Sequence, residues 1–281
     1  MTDTVSLRLG YSPCPNDTYI FNALVHGRIP LHRCRIAGVQ LEDVETLNEW
    51  ALEEKLDITK LSFHAFAHAR DHYTLLQSGA ALGRGCGPLL ITSSRSKPAR
   101  PADWKIAIPG KYTTAALLLR LFQPACRRLV VMRFDQIMTA LATGEVDAGV
   151  IIHESRFTYQ SLGFCCLQDL GEWWEQTTGL PIPLGCIAAK KSIPTAVRQE
   201  FDQAIAASIR WADAHSEAGW EYIRTHAQEM DIQVMRNHIG LYVNEFSKDI
   251  GNEGRRAIRE LLRRGAETGL FPVYDDERSE E

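Results

Sequence analysis

The chain has 281 residues, 45% of them hydrophobic and 23% charged, with a formal net charge of −4. Such proportions suit a globular protein with a sizeable core and room for two domains. They exclude wholesale disorder, and with no basic excess or Lys/Arg run they exclude a phosphate-tracking surface, so no nucleic acid partner is expected.

Residues 1–6 hold no basic start leading into an apolar run, so no secretory signal is read there and a cytoplasmic protein is expected. Apolar runs then alternate with helical stretches, the pattern of βα units on largely parallel sheets. Residues 5–10 read as a strand and 17–26 as a helix capped by Asn16 or Asp17. Residues 39–44 form a second strand, 45–55 a helix, 58–62 a buried strand and 63–72 a helix. A second series follows: strand 105–109, helix 113–122, strand 129–134, helix 137–143 and strand 148–153. After Ile193 the periodicity is helical alone, over 195–215, 217–228, 231–243 and 253–268. The acidic tail from Asp275 lacks apolar content and reads as frayed. No apolar stretch approaches the roughly 20 residues that cross a bilayer, so no membrane partner is expected.

The two series share a plan of strand, tight loop and helix start, as do 52–62 and 141–153. Apolar strands at 87–94 and 184–191 flank the second series, where the chain must cross between lobes. The whole resembles a two-lobed type II periplasmic-binding-protein-like α/β fold, with two βα domains joined by two crossover strands. The expected domains are 1–95 with 188–281, and 96–187 inserted between them.

Seven cysteines (14, 34, 86, 126, 165, 166 and 186) include no CxxC pair. They read as buried small apolar residues rather than disulfides or zinc ligands. His64, His68 and His72 share one helical face, but no HExxH glutamate accompanies them, and no metal is expected.

Ligands of parallel sheets bind beyond the carboxyl ends of strands, where the following helices present free N–H groups. The rule selects 11–17, 60–62, 110–114 and 153–156, and places a small anionic molecule in an interlobe cleft. Thr113 and Thr114 open a helix where a carboxylate would sit, or simply cap it. Lys60 and Ser62 end a buried strand, where Lys60 contacts ligand or pairs with Asp57 and Ser62 contacts ligand or caps a helix. Ser12 and Asp17 are weaker candidates, since Ser-Pro and Asn-Asp also make ordinary turns. His153, at the end of a buried strand, is placed to take a proton near neutral pH. Arg156 holds a substrate oxygen or forms an ion pair.

Several segments resemble the 1,4-dihydroxy-6-naphthoate synthase family of the futalosine route to menaquinone. They include Leu9-Gly-Tyr-Ser-Pro-Cys-Pro-Asn-Asp-Thr-Tyr-Ile-Phe21, Leu41-Glu-Asp-Val-Glu-Thr-Leu-Asn48, Thr59-Lys-Leu-Ser62 and Ala81-Leu-Gly-Arg-Gly85. So do Ile151-Ile-His-Glu-Ser-Arg-Phe-Thr-Tyr159, Thr178-Gly-Leu-Pro-Ile-Pro-Leu-Gly185 and Tyr242-Val-Asn-Glu-Phe-Ser247. The resemblance implies a lyase, with no cofactor, that converts cyclic dehypoxanthine futalosine to 1,4-dihydroxy-6-naphthoate. It puts the proton-accepting histidine at His153 and substrate contacts at Lys60, Leu61, Ser62, Thr113 and Thr114. The competing readings are a non-catalytic cytoplasmic binding protein and the sister chorismate dehydratase, whose family pattern lacks the 153–159 segment.

Overall fold

The computed structural model describes residues 4–93, 103–228 and 231–272. The expected frayed tail from Asp275 lies outside them. No helix among the described residues is long and apolar enough to cross a membrane.

Two sheets organise the chain. The first contains β1 (Val5–Tyr11), β2 (Cys34–Leu41), β3 (Ile58–Ser62), β4 (Tyr73–Leu75), β5 (Ala81–Gly83) and β11 (Ile182–Lys190). Its order is β2-β1-β3-β11-β4, with β5 also paired to β11. β1 runs parallel to β2 and β3, and β11 runs antiparallel to β3, β4 and β5. The second sheet, ordered β10-β6-β9-β7-β8, joins β6 (Leu89–Ser93), β7 (Lys105–Ile108), β8 (Arg128–Val131), β9 (Ala148–Ile151) and β10 (Phe164–Asp169). β7 is parallel to β8 and β9, while β6 is antiparallel to β9 and β10. Every residue of β3 and β9 is buried, as expected of strands covered on both faces.

The chain therefore enters the second sheet at β6 and returns to the first at β11. Both exchanges precede the expected boundaries at 95 and 187. Both strands are largely apolar, and such a strand does not reveal which sheet it will join.

At the crossings the two connections touch backbone to backbone. A Cβ at Gly87 would lie 2.3 Å from the Cα and N of Gly171. Leu170 N donates to Pro88 O at 2.9 Å. Arg156 donates to the carbonyls of Gly85 and Gly87 and pairs with Asp169 at 2.6 Å. Gly87→Ala should force the connections apart and cost roughly 1–3 kcal/mol, the scale of overpacking. Urea denaturation of the variant checks this, and an unchanged midpoint would contradict the contact.

Several helices cover the sheets: α1 (Pro15–Val25), α2 (Val44–Leu52), α3 (Phe63–Ala69), α4 (Thr114–Phe122), α5 (Ile137–Thr143) and the four-residue α6 (Ser155–Thr158). Next come α7 (Leu170–Thr178), α8 (Thr195–Ala214), α9 (Trp220–His226), α10 (Ile232–Tyr242), α11 (Glu245–Lys248) and α12 (Gly251–Glu267). α8 buries Val197, Phe201, Ala204, Ile205, Ser208, Ile209 and Ala212 along one stripe. Ser208 Oγ ties it to α1, donating to Ile20 O and accepting from Leu24 N.

Local differences from the sequence reading have local causes. α1 starts earlier than expected, with Pro15 in its first turn and Cys14 at the cap, because proline needs no N–H partner there. The strand expected over 39–44 is β2, placed earlier, because this edge strand is half exposed and its apolar pattern is weak. The chain expected to continue β8 to residue 134 turns instead into a 3-10 turn, Phe134–Gln136. Cys165 and Cys166 are exposed on β10, an edge strand, contrary to the expected burial; the other five cysteines are buried and all seven are free.

Candidate active site

A cleft lies between the sheets. Ser12, Asp17, Lys60 and Ser62 line it from the first sheet and its helices, and Thr113, Thr114 and His153 from the second.

Alternation along β3 decides which of its residues reach the cleft. Lys60 and Ser62 do, whereas Leu61 is fully buried in the core, away from the expected substrate contact. Lys60 pairs with Asp17, not with Asp57; their side chains are 7% and 1% exposed. Asp17 also accepts from Ser12 N at 3.2 Å, Ser12 Oγ at 2.7 Å and Asn16 Nδ2 at 2.9 Å. It therefore caps no helix; it is the buried counter-ion at the cleft floor.

Asn48, on α2, fixes Ser62. Its Oδ1 accepts Ser62 N at 2.8 Å, which turns Nδ2 toward Ser62 Oγ at 3.2 Å and Glu45 Oε2 at 3.0 Å. Because Ser62 Oγ accepts this bond, its own hydrogen remains available to a ligand. Glu45 accepts Tyr112 N at 2.9 Å, so a hydrogen-bonded line crosses from β3 to the turn before α4. A Cβ at Gly110 would lie 2.4 Å from the Glu45 carboxylate, so only glycine allows this approach. Burial raises the Glu45 pKa.

Thr113 is the N-cap of α4, accepting Ala116 N at 3.2 Å and donating to Gly110 O at 2.9 Å. Thr114 Oγ1 donates to Leu184 O at 2.6 Å. Both hydroxyls thus serve the protein. Thr114 and Ala115, which line the cleft, fall in the first turn of α4, where helix geometry leaves backbone N–H groups without an intrahelical acceptor.

His153 follows β9 with a φ of +58°, in the left-handed region. That turn aims its ring at the cleft rather than continuing the strand. Its Nδ1 lies 3.5 Å from Cys14 Sγ, its Nε2 is shut from solvent without a hydrogen-bond partner, and the Phe134 ring packs edge-on at 4.9 Å. Burial, more than the opposing effects of Asp17 and Lys60, holds its pKa down to about 4, so the imidazole is neutral at pH 7. A neutral ring beside an anion-binding helix start can accept a proton from a bound acid.

His238 on α10, missed in the sequence, stacks at 6.1 Å on His153. Its Nε2 lies 3.0 Å from Asn16 Oδ1. Tyr242, four residues along the same helix, also lines the cleft. The C-terminal helices showed only amphipathic periodicity, and a buried histidine on such a face has no local signal marking it for a site built from distant segments. The i, i+4 pairing of His238 with Tyr242 was the one available hint.

Arg156 does not reach the cleft; its donors hold the crossover connections as described. The rings of His64 and His68 lie 5.4 Å apart, but α3 ends at Ala69 and His72 does not join them. His64 Nδ1 lies 3.2 Å from Thr113 O, His68 packs on Tyr112 and Phe271, and His72 pairs with Glu54.

Comparison with known proteins adds a family to this geometry. The profile described as menaquinone biosynthesis matches residues 7–267. A Thermus thermophilus protein named 1,4-dihydroxy-6-naphthoate synthase is 48% identical over 269 residues, covering 94% of this chain and 96% of that one. A Streptomyces coelicolor protein of the same name is 45% identical over 273 residues, covering 95% of each. An Archaeoglobus fulgidus crystal structure superposes with a TM-score of 0.87 at 32% identity, over 95% of this chain and 98% of that one. The periplasmic aliphatic sulphonate-binding protein of Escherichia coli superposes at 0.65 with 17% identity, over 98% of this chain and 91% of that one, a likeness of fold alone.

Proposed function

The chain belongs to the menaquinone-biosynthesis family, and on that premise we propose that it is a cytoplasmic 1,4-dihydroxy-6-naphthoate synthase, a carbon–carbon lyase that takes the anionic substrate cyclic dehypoxanthine futalosine and needs no cofactor. The observation that carries the chemistry is His153, neutral, with an unpartnered Nε2, at the cleft between the two sheets.

In this reading the aryl carboxylate sits on the Thr114 and Ala115 amides, which Thr113 orients by capping α4. The Ser62 hydroxyl donates to a substrate oxygen, and Lys60, held by Asp17, lends positive potential to that side of the cleft. His153 removes a carbon-bound proton next to a carbonyl. The resulting enolate expels the sugar-derived fragment as the ring becomes aromatic, and His153 returns the proton in product release. Closure of the lobes excludes water while the enolate exists.

The acid limb of kcat/KM tests the base. A base must be neutral to act, so activity survives at any pH above the pKa of free His153. With that pKa held to about 4, kcat/KM should stay nearly flat from pH 7 to pH 5. An ordinary histidine with a pKa near 6.5 would lose about 25-fold over the same interval. A loss of that size, in protein that circular dichroism shows to be folded, would contradict the assignment.

A further inference from the structure

Cys14 Sγ, a nitrogen of His153 and a carboxylate oxygen of Glu154 all lie within 4.8 Å of one another. This is a soft, a borderline and a hard donor gathered at one point, the mixture that zinc accepts. The 3.5 Å from Cys14 Sγ to His153 Nδ1 matches the ligand spacing of a tetrahedral zinc. Bonds of about 2.3 Å to sulfur and about 2.0 Å to nitrogen set those atoms about 3.5 Å apart. Three protein donors leave the fourth position open, as in zinc sites that also hold water.

A second observation points the same way. Asn16 Nδ2 donates to Asp17, so its Oδ1 must accept from His238 Nε2–H. The Nδ1 of neutral His238 is then a bare lone pair. It is buried, has no hydrogen-bond partner, and lies 3.7 Å from Glu154 Oε1. This unpartnered buried lone pair lies at the edge of the donor cluster, where a cation would find a further polar atom. Access is available too. A second cavity shares His153 with the cleft, and in its lining the carboxylates of Glu42, Asp43 and Glu154 outnumber the single cation Arg133, a balance that attracts cations.

We propose that Cys14, His153 and Glu154 form a binding site for a thiophilic divalent cation such as Zn2+, which switches the enzyme off by occupying its base. Binding displaces the Cys14 thiol proton and takes the His153 Nδ1 lone pair. The remaining ring proton then resides on Nε2, so no lone pair is left for substrate. The inhibition, though not the binding, rests on the reading of His153 as base.

Metal binding and inhibition can be measured separately. Full-length protein carrying Cys165→Ser and Cys166→Ser, which removes the exposed thiols, is reduced, stripped with chelator and titrated with Co2+. The expected result is one cobalt per chain with a thiolate-to-cobalt charge-transfer band in the near ultraviolet. Calorimetry with Zn2+ should show one site, weakened roughly 100-fold or more by Cys14→Ser and by Glu154→Gln; the second variant covers the case in which the first fails to fold. Zn2+ should stop turnover at the same concentration that fills the site, and chelator should restore it. No thiolate band, or a band and affinity untouched by either variant, overturns the site. Binding without inhibition, in protein that turns over normally with chelator present, overturns the switch. Absence of turnover even with chelator present would count against the synthase reading instead, and leave the binding result standing.

Discussion

Replacing His153 with asparagine is expected to lower kcat about a thousandfold, within the range attributed to a positioned base, while KM changes little. Asparagine is the informative choice. His153 holds a φ of +58°, which asparagine tolerates and alanine resists. An alanine variant would mix backbone strain with loss of the imidazole. The melting temperature and circular dichroism of His153→Asn should stay close to those of the wild type. A kcat within tenfold of wild type would remove His153 from the chemistry and leave it as a wall of the cleft.

The second large effect concerns stability. Lys60→Met should destabilise the fold by about 3–5 kcal/mol, because it leaves the Asp17 carboxylate buried without its counter-ion. Asp17 is 1% exposed at the side chain, and the bonds from Ser12 and Asn16 solvate the charge without neutralising it. Asp17→Asn should be costly for the converse reason, stranding the ammonium of Lys60. The double variant, which removes both charges, should recover much of the loss. Denaturant midpoints of the four proteins complete the cycle. Single variants each costing under about 1 kcal/mol would show that the pair behaves as an exposed one.

The sequence located the segments that meet in the cleft more closely than it located the points where the chain changes sheet. Strand β3 and helix α5 were readable to the residue: β3 ends at Ser62, the N-cap of α3, and α5 ends at the left-handed Gly144. The rule that ligands lie beyond strand ends brought Ser12, Asp17, Lys60, Ser62, Thr113, Thr114 and His153 together, and all line one cleft. The parallel pairings of β1 with β3 and of β7 with β9 give the strands that precede these segments a common direction within each sheet. What stayed hidden needed the third dimension. β6 and β11 differ from crossover segments only in their choice of sheet, which is a matter of pairing and not of composition. Leu61 shared a motif with Lys60 and Ser62 but points into the core by simple alternation. Arg156 sat beside His153 in sequence, yet its donors turn to the carbonyls of Gly85 and Gly87. Thr113 and Thr114 were expected either to hold a carboxylate or to cap a helix; the Thr113 hydroxyl caps α4 and that of Thr114 donates to Leu184 O. His238 reaches the cleft, and Asn48 and Glu45 support its wall, from helices with no chemical signature of their own; only tertiary packing sets them beside His153, Ser62 and the turn before α4.

The central claim is that this cleft catalyses and does not merely bind. The direct measurement is incubation of the purified protein with cyclic dehypoxanthine futalosine, following 1,4-dihydroxy-6-naphthoate by its absorbance and by mass. The expected result is stoichiometric naphthoate with release of the sugar-derived fragment, sustained over many turnovers by wild type and nearly abolished in His153→Asn. Tight binding of the substrate with no product from folded wild-type protein would contradict the claim, and would make the chain a binding protein built on the same fold.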